Sequence, residues 1–224
     1  MIRSKDDYLY YLEADRIARS LPPKKAMRSI VKNWLFPDYV WKFQRTLRKY
    51  EYYKNCKPGF LSKITMVFIA LRFKKLSYKL GFSIPLNVFG PGLSIAHYGT
   101  IIVNDGAKVG ENCRLHACVN IGTEAGYSMK APNIGNNCYI GPGAKLYGDI
   151  TIADNVAIGA NAVVNKSVSE SNIAIGGIPA KKISDINIFD IIIPATDIIK
   201  QGGNKIDTSG IPARELQRIL KTKE

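Results

Sequence analysis

The chain has 224 residues, 46% hydrophobic and 22% charged, which supports one packed domain with an appendage and excludes a disordered or collagen-like chain. Lys and Arg number 32 against 18 Asp and Glu, a net +14. The excess is one-sided: residues 1–80 carry 19 basic and 6 acidic side chains, residues 81–182 carry 7 and 6, and residues 183–224 carry 6 and 6.

A nucleic-acid enzyme gathers positive charge around its working groups, and here the basic segment lies apart from the residues that carry chemistry. It reads as a solvated face, or as a surface that attracts an anionic acceptor or an anionic membrane leaflet. The first residues, Met1 to Asp7, lack the apolar stretch of a signal peptide. The longest apolar run of this segment, Ile64 to Leu71, is far short of the roughly 20 residues of a membrane span. Cys56, Cys113, Cys118 and Cys138 form no CxxC pair and read as free, small core residues in a reducing cytoplasmic setting.

Residues 1–80 read as a basic α-helical domain. Asp6 or Asp7 is expected to cap a first helix running to about Ser20, and Pro22-Pro23 ends it. A second stretch carries Trp34, Tyr39, Trp41, Phe43, Tyr50, Tyr52 and Tyr53, read as core and subunit contacts, and stops at Pro58-Gly59. A third helix is expected from Leu61 to about Leu80, with apolar positions at Ile64, Val67, Phe68, Leu71 and Leu76.

From Val103 onward an aliphatic residue returns at every sixth position: Val103, Val109, Leu115 and Ile121, then after an interruption Ile134, Ile140, Leu146, Ile152, Ile158 and Val164. Small or branched residues follow four positions later, among them Ala107, Cys113, Val119, Cys138, Ala144, Ile150, Val156, Ala162 and Val168. A period of six drifts around a helix of 3.6 residues per turn, so no helix makes this pattern. It suits a parallel β-solenoid with short flat sides, whose anchors point inward and whose glycines serve tight corners.

The segments IPLNVFGPGLSIAHYGTIIVN, GAKVGENCRLHACVNIGT, IGNNCYIGPGAKLYGDITIADNVAIGANAVVNKSV and IAIGGIPAKKI resemble the hexapeptide-repeat acyltransferases. The nearest branch is the serine acetyltransferase-like group, including members from surface-polysaccharide gene clusters. The resemblance implies a mainly β fold, a left-handed parallel β-helix over residues 81–183, three hexads per coil, a homotrimer, and acetyl-CoA as co-substrate with no metal. The hand does not follow from the periodicity, and parallel crossovers are normally right-handed.

The chain has two histidines, His97 and His116, and histidine suits a general base near neutral pH. In the repeat frame Ile95 and Leu115 are anchors one coil apart, with two extra residues between them. Coils stack about 4.8 Å apart, so the two rings are expected on one edge, within roughly 5–8 Å at their Cβ atoms. His116 also stands where the repeat otherwise has mostly Gly, Ala or Asn. The resemblance implies that His97 takes the proton of an acceptor hydroxyl attacking the thioester of acetyl-CoA. No acyl-enzyme is needed, because both substrates gain from proximity. The His116 ring or a backbone N–H is the expected oxyanion donor.

The segment Gly122 to Asn133 breaks the repeat and must project as a loop. In the family it builds a site between adjacent subunits, which makes Tyr127 and Lys130, with Tyr98 beside His97, the expected acceptor contacts. For coenzyme A the resemblance points to Gly122, Pro142, Ala160, Asn165, Lys166 and Lys181, with Lys182 beside them to meet phosphates.

The match fails at three places. Serine acetyltransferases carry a carboxylate where this chain has Ala96, an aspartate where it has Phe82, and Arg-His where it has Lys130-Ala131. A free amino acid needs a cation for its carboxylate and an anion for its ammonium group, and only Lys130 remains. The expectation is therefore a sugar hydroxyl acceptor in surface-polysaccharide synthesis, with L-serine as the alternative and N-acetylation of an amino sugar open. A zinc hydratase needs three imidazoles around the metal, and two histidines fit poorly; a non-catalytic scaffold is the remaining reading. In residues 184–224, Ile191 to Ile193 with Pro194 are expected as a short strand and Pro212 to Lys223 as a charged helix, with no chemistry assigned.

Overall fold

The computed structural model describes residues 1–23, 36–127, 129–202 and 207–221. Three helices lead: α1 (Lys5–Ala18), α2 (Tyr39–Cys56) and α3 (Phe60–Leu80). Trp34 and the linker around Gly203 and Asn204 lie outside the described residues. The cap of α1 is Ser4, whose hydroxyl accepts from the Asp7 N–H at 2.9 Å, rather than Asp6 or Asp7. The two aspartates instead occupy the first turn, where the helix dipole favours negative charge. Gly81, at φ 75°, closes α3 in the left-handed conformation.

The face of α3 differs from expectation. Ile69, Leu76 and Leu80 are buried, whereas Ile64, Val67, Phe68 and Leu71 are exposed. The helix is apolar on two opposite arcs, so its sequence period does not say which arc faces the core.

Short parallel strands then wind into a three-sided prism. One face stacks β1 (Phe82–Ser83), β3 (Ile101–Val103), β6 (Asn120–Gly122), β9 (Lys145–Tyr147) and β12 (Val163–Val164). The second stacks β4 (Lys108–Val109), β7 (Asn133–Ile134) and β10 (Thr151–Ile152). The third stacks β2 (Ser94–Ile95), β5 (Arg114–Leu115), β8 (Tyr139–Ile140), β11 (Ala157–Ile158) and β13 (Ile173–Gly176), with β14 (Lys181–Asp185) antiparallel at its end. Ile140 pairs with Ile158, one 18-residue coil on, while Leu115 pairs with Ile140 across the inserted loop. The repeat anchors are all buried, each contributing on the order of 1.5–3 kcal/mol by area.

Corners are turned more by asparagine than by glycine. Asn112, Asn137, Asn155 and Asn172 have φ between 54 and 61°. Their side chains form a ladder from coil to coil, at 2.9, 2.9 and 3.1 Å. Asparagine tolerates this conformation, and its amide bonds locally. Gly141 serves another purpose: a Cβ there would stand 2.7 Å from the Ile158 carbonyl oxygen and 2.9 Å from the Ala160 nitrogen of the next coil. Cys113 and Cys138 are buried as expected, whereas Cys118 is exposed at a corner and Cys56 is half-buried.

A buried ion network docks the helices on the first coil. Arg48 binds Asp15 of α1 at 2.8 and 3.2 Å, Glu51 of α2 at 3.1 Å, and the carbonyls of Phe89 and Gly90 at 2.9 and 2.6 Å. The expected strand at Ile191 to Ile193 is absent. A 3-10 turn (Ile188–Asp190) is followed by α4 (Ala195–Lys200), because Pro194 has no N–H for a ladder and suits a helix start. α5 spans Ala213–Lys221. Ile193, Ala195, Ile198 and Leu216 of this tail pack on Ala14, Ile17 and Ala18 of α1. Ile188 and Ile192 pack on Ala157 of the third face.

Candidate functional site

The pairing of Ile95 with Leu115 puts the two histidines on neighbouring coils. Their ring centroids are 5.9 Å apart, and the His116 ring is 5.0 Å from that of Tyr139. They occupy the third face and its edge, between the end of α1 and the tail. Side chains alternate along a strand, so Arg114 points outward beside His116, and its Nε donates to His116 Nε2 across 3.5 Å. This contact needs Nε2 unprotonated. His116 is held in that state: burial first, then the positive charge of Arg114 and the neighbouring His97, push its pKa down to about 4. A neutral imidazole at this place can hydrogen-bond a developing oxyanion without competing for the proton that a base must take.

His97 is exposed and Tyr98 is 76% exposed beside it. Position 96 offers no carboxylate, and among the described residues no side chain hydrogen-bonds the His97 ring.

A cavity of about 200 Å³ opens beside His97, lined by Ala18, Arg19 and Ser20 at the end of α1 and by Ser94, Ile95, Ala96, His97 and Arg114. Arg19 and Arg114 carry no sequence signal. The hexad marks Arg114 only as an outward position, and Arg19 arrives by the docking of α1. Arg19 donates to Asp38 at 2.9 Å, to Gln44 at 3.3 Å and to the Ile95 carbonyl. Burial lowers the Arg19 pKa from its ordinary value, but the shift leaves the guanidinium charged.

The other predicted residues divide between two edges. Pro142 and Ala160 share the edge of His97: the Asn161 N–H donates to the Pro142 carbonyl at 2.9 Å, and both residues are exposed. Gly122 ends β6, on the far side of the first face, and the loop with Tyr127 and Lys130 leaves from there. Within one chain the loop therefore does not border the histidines' edge. Three strand residues at about 3.3 Å each separate the two corners. Lys130 pairs with Glu124 at 3.3 Å and lies 4.1 Å from the centroid of the Tyr127 ring. Asn165 and Lys166 follow β12 at the loop's edge, exposed. Lys181 is exposed in β14, while Lys182 is engaged by Glu170 at 2.5 Å and Asp185 at 2.8 Å. No group of three or more metal-ligating side chains occurs among the described residues.

The family described as bacterial transferase hexapeptide (six repeats) matches residues 131–166. The chain carries that repeat. Over 175 residues it is 27% identical to the serine acetyltransferase of Staphylococcus xylosus, covering 78% of this chain and 74% of that protein. Among solved structures, the serine acetyltransferase from Brucella abortus strain S19 superposes with a TM-score of 0.62 at 23% identity, covering 82% of this chain and 71% of that one. A serine acetyltransferase in complex with CoA superposes at 0.57 with 18% identity, covering 80% and 71%. These likenesses give the parallel hexapeptide fold with N-terminal helices. They overturn the sugar-hydroxyl acceptor and the link to polysaccharide synthesis, because the relatives named are serine acetyltransferases. No described helix is long and apolar enough to cross a membrane.

Proposed function

We propose that the chain is an L-serine O-acetyltransferase, a left-handed coil working as a cytoplasmic homotrimer. It is an acyltransferase, and acetyl-CoA is its co-substrate. The reading divides it into helices (1–80), catalytic coil (81–183) and tail (184–224). The observation that carries the activity is the pair of imidazoles, 5.9 Å apart beside a small cavity, on a coil like that of serine acetyltransferases.

His97 takes the proton of the acceptor hydroxyl as its oxygen attacks the thioester carbon. The new C–O bond forms, the C–S bond breaks, and the proton passes from His97 to the departing sulfur. No acyl-enzyme intervenes. Neutral His116 meets the negative charge of the tetrahedral intermediate.

Two corners have to meet to complete this site. Pro142, Ala160 and Lys181 lie toward the His97 edge, while Gly122, Asn165 and Lys166 belong to the loop's edge. In a trimer, one protomer's His97 edge faces its neighbour's loop edge, and the pantetheine arm runs between them. Tyr98 then lies near the acceptor, and the neighbour's Tyr127 and Lys130 close over it. Release of CoA with L-serine as sole acceptor tests the proposal. Turnover should fall about 10²–10⁴-fold in His97→Ala while acetyl-CoA still binds; unchanged turnover refutes it.

A further inference from the structure

The cavity beside His97 has more positive charge than the described residues neutralise. Asp38 is committed to Arg19 at 2.9 Å and also accepts the Trp41 N–H at 2.8 Å as the cap of α2. Arg19 Nε is buried without a hydrogen-bond partner. Arg114 is half-buried, and its one side-chain hydrogen bond among the described residues is the long one to His116. No carboxylate among the described residues lies within ion-pair distance of it. The wall thus presents one guanidinium held by Asp38, Gln44 and the Ile95 carbonyl, and a second with its outer nitrogens open.

A partly buried guanidinium without a carboxylate favours a planar anion, which it can bind through two parallel N–H donors. The volume, about 200 Å³, is below the roughly 300–1,000 Å³ of pockets for drug-sized ligands. A compact carboxylate fits it better than a nucleotide. Arg114 and His116 project from the same side of β5, and Ser94, opposite Arg114 in register, belongs to the strand that leads into His97. In L-serine the carboxylate and the hydroxyl are separated by two carbon atoms. A carboxylate held at Arg114 therefore leaves the hydroxyl to reach toward the imidazoles.

We infer that Arg114, backed by the fixed charge of Arg19, receives the carboxylate of the acceptor and sets the enzyme's preference for a hydroxyl-bearing amino acid. The inference rests on the L-serine reading and deepens it. It also adds a cation outside the aligned positions, where Lys130 alone remains and is already paired with Glu124.

The test compares L-serine with L-serinamide, its uncharged carboxamide, in wild type, Arg114→Gln and Arg114→Lys, with circular dichroism and melting temperature as checks of folding. Wild type should favour L-serine. Arg114→Gln should raise the KM for L-serine about 10–100-fold, the range for a lost charge-assisted hydrogen bond, leave the KM for acetyl-CoA in place, and bring the serine-to-serinamide ratio toward one. Arg114→Lys should recover part of the ratio. A folded Arg114→Gln enzyme that keeps its KM for L-serine and its ratio overturns the inference while the L-serine reading stands. So does a loss confined to acetyl-CoA. A wild-type enzyme with no turnover of L-serine overturns the acceptor reading and the inference together.

Discussion

The network around Arg48 gives a quantitative test of how the helices are held to the coil. Arg48 and Asp15 are fully buried, and Glu51 nearly so. Arg48→Met removes the charge, and with it five hydrogen bonds to Asp15, Glu51, Phe89 and Gly90. Two carboxylates are then left facing each other out of water, and the Phe89 and Gly90 carbonyls lose their donor. Breaking one partner out of a buried ion pair costs about 3–5 kcal/mol. At about 2–4 °C per kcal/mol for a chain of this size, the melting temperature should fall about 6–20 °C at pH 7, followed by circular dichroism. The deficit should also depend on pH. Burial pushes the Asp15 carboxyl up, and Arg48 is the chief force pulling it down. Without Arg48 the folded state binds protons that the unfolded state, with carboxyl pKa values near 4, releases. Stability then falls as pH rises, so the variant should regain part of its loss between pH 7 and pH 5. A variant within about 1 kcal/mol of wild type, or with a deficit unchanged over that interval, would refute the account of the network as the tether; the yardstick is the cost of a broken buried pair.

Two further outcomes are expected. The His116 imidazole should stay neutral through pH 5–8 and titrate near 4 by NMR, and Arg114→Gln should move that value up because one of the repelling charges is gone. Its folded pKa lies below the unfolded value near 6.5, so its contribution to stability is complete above that value and is lost as pH falls toward 4; a midpoint at or above 6.5 would contradict the described surroundings. Gly141→Ala drives a Cβ to 2.7 Å from the Ile158 carbonyl, an overpacking that should cost about 1–3 kcal/mol in denaturant titration, and a neutral effect would mean the coils can separate locally.

The prism was legible because its physics is periodic. One aliphatic residue per six fills a narrow core, and an inserted loop interrupts the frame visibly at Gly122. The histidine pair was legible for the same reason, since counting hexads amounts to measuring distance between coils. Features that depend on docking were not. Arg19 reaches the cavity through a helix whose seat is fixed by Arg48, and no local pattern announces that. The apolar positions of α3 fit two opposite arcs, and Ile64, Val67, Phe68 and Leu71 turned out on the exposed one. The acceptor was misread because Ala96 and Phe82 lack the expected carboxylates, while the cation that bears on the question, Arg114, stands outside the aligned places.

The first helix meets the tail, and that has a consequence in time. Among the described residues, Ala14, Ile17 and Ala18 share their apolar cluster with Ile193, Ala195, Ile198 and Leu216. At roughly 5–20 residues per second of synthesis, the first helix waits about 10–40 s for the segment that covers it. Coils can stack one upon another as they emerge, but the apolar cover of the first helix is complete only once the chain has been made as far as Leu216. A nascent chain stalled before the tail would hold both histidines and still leave one apolar side of the first helix uncovered.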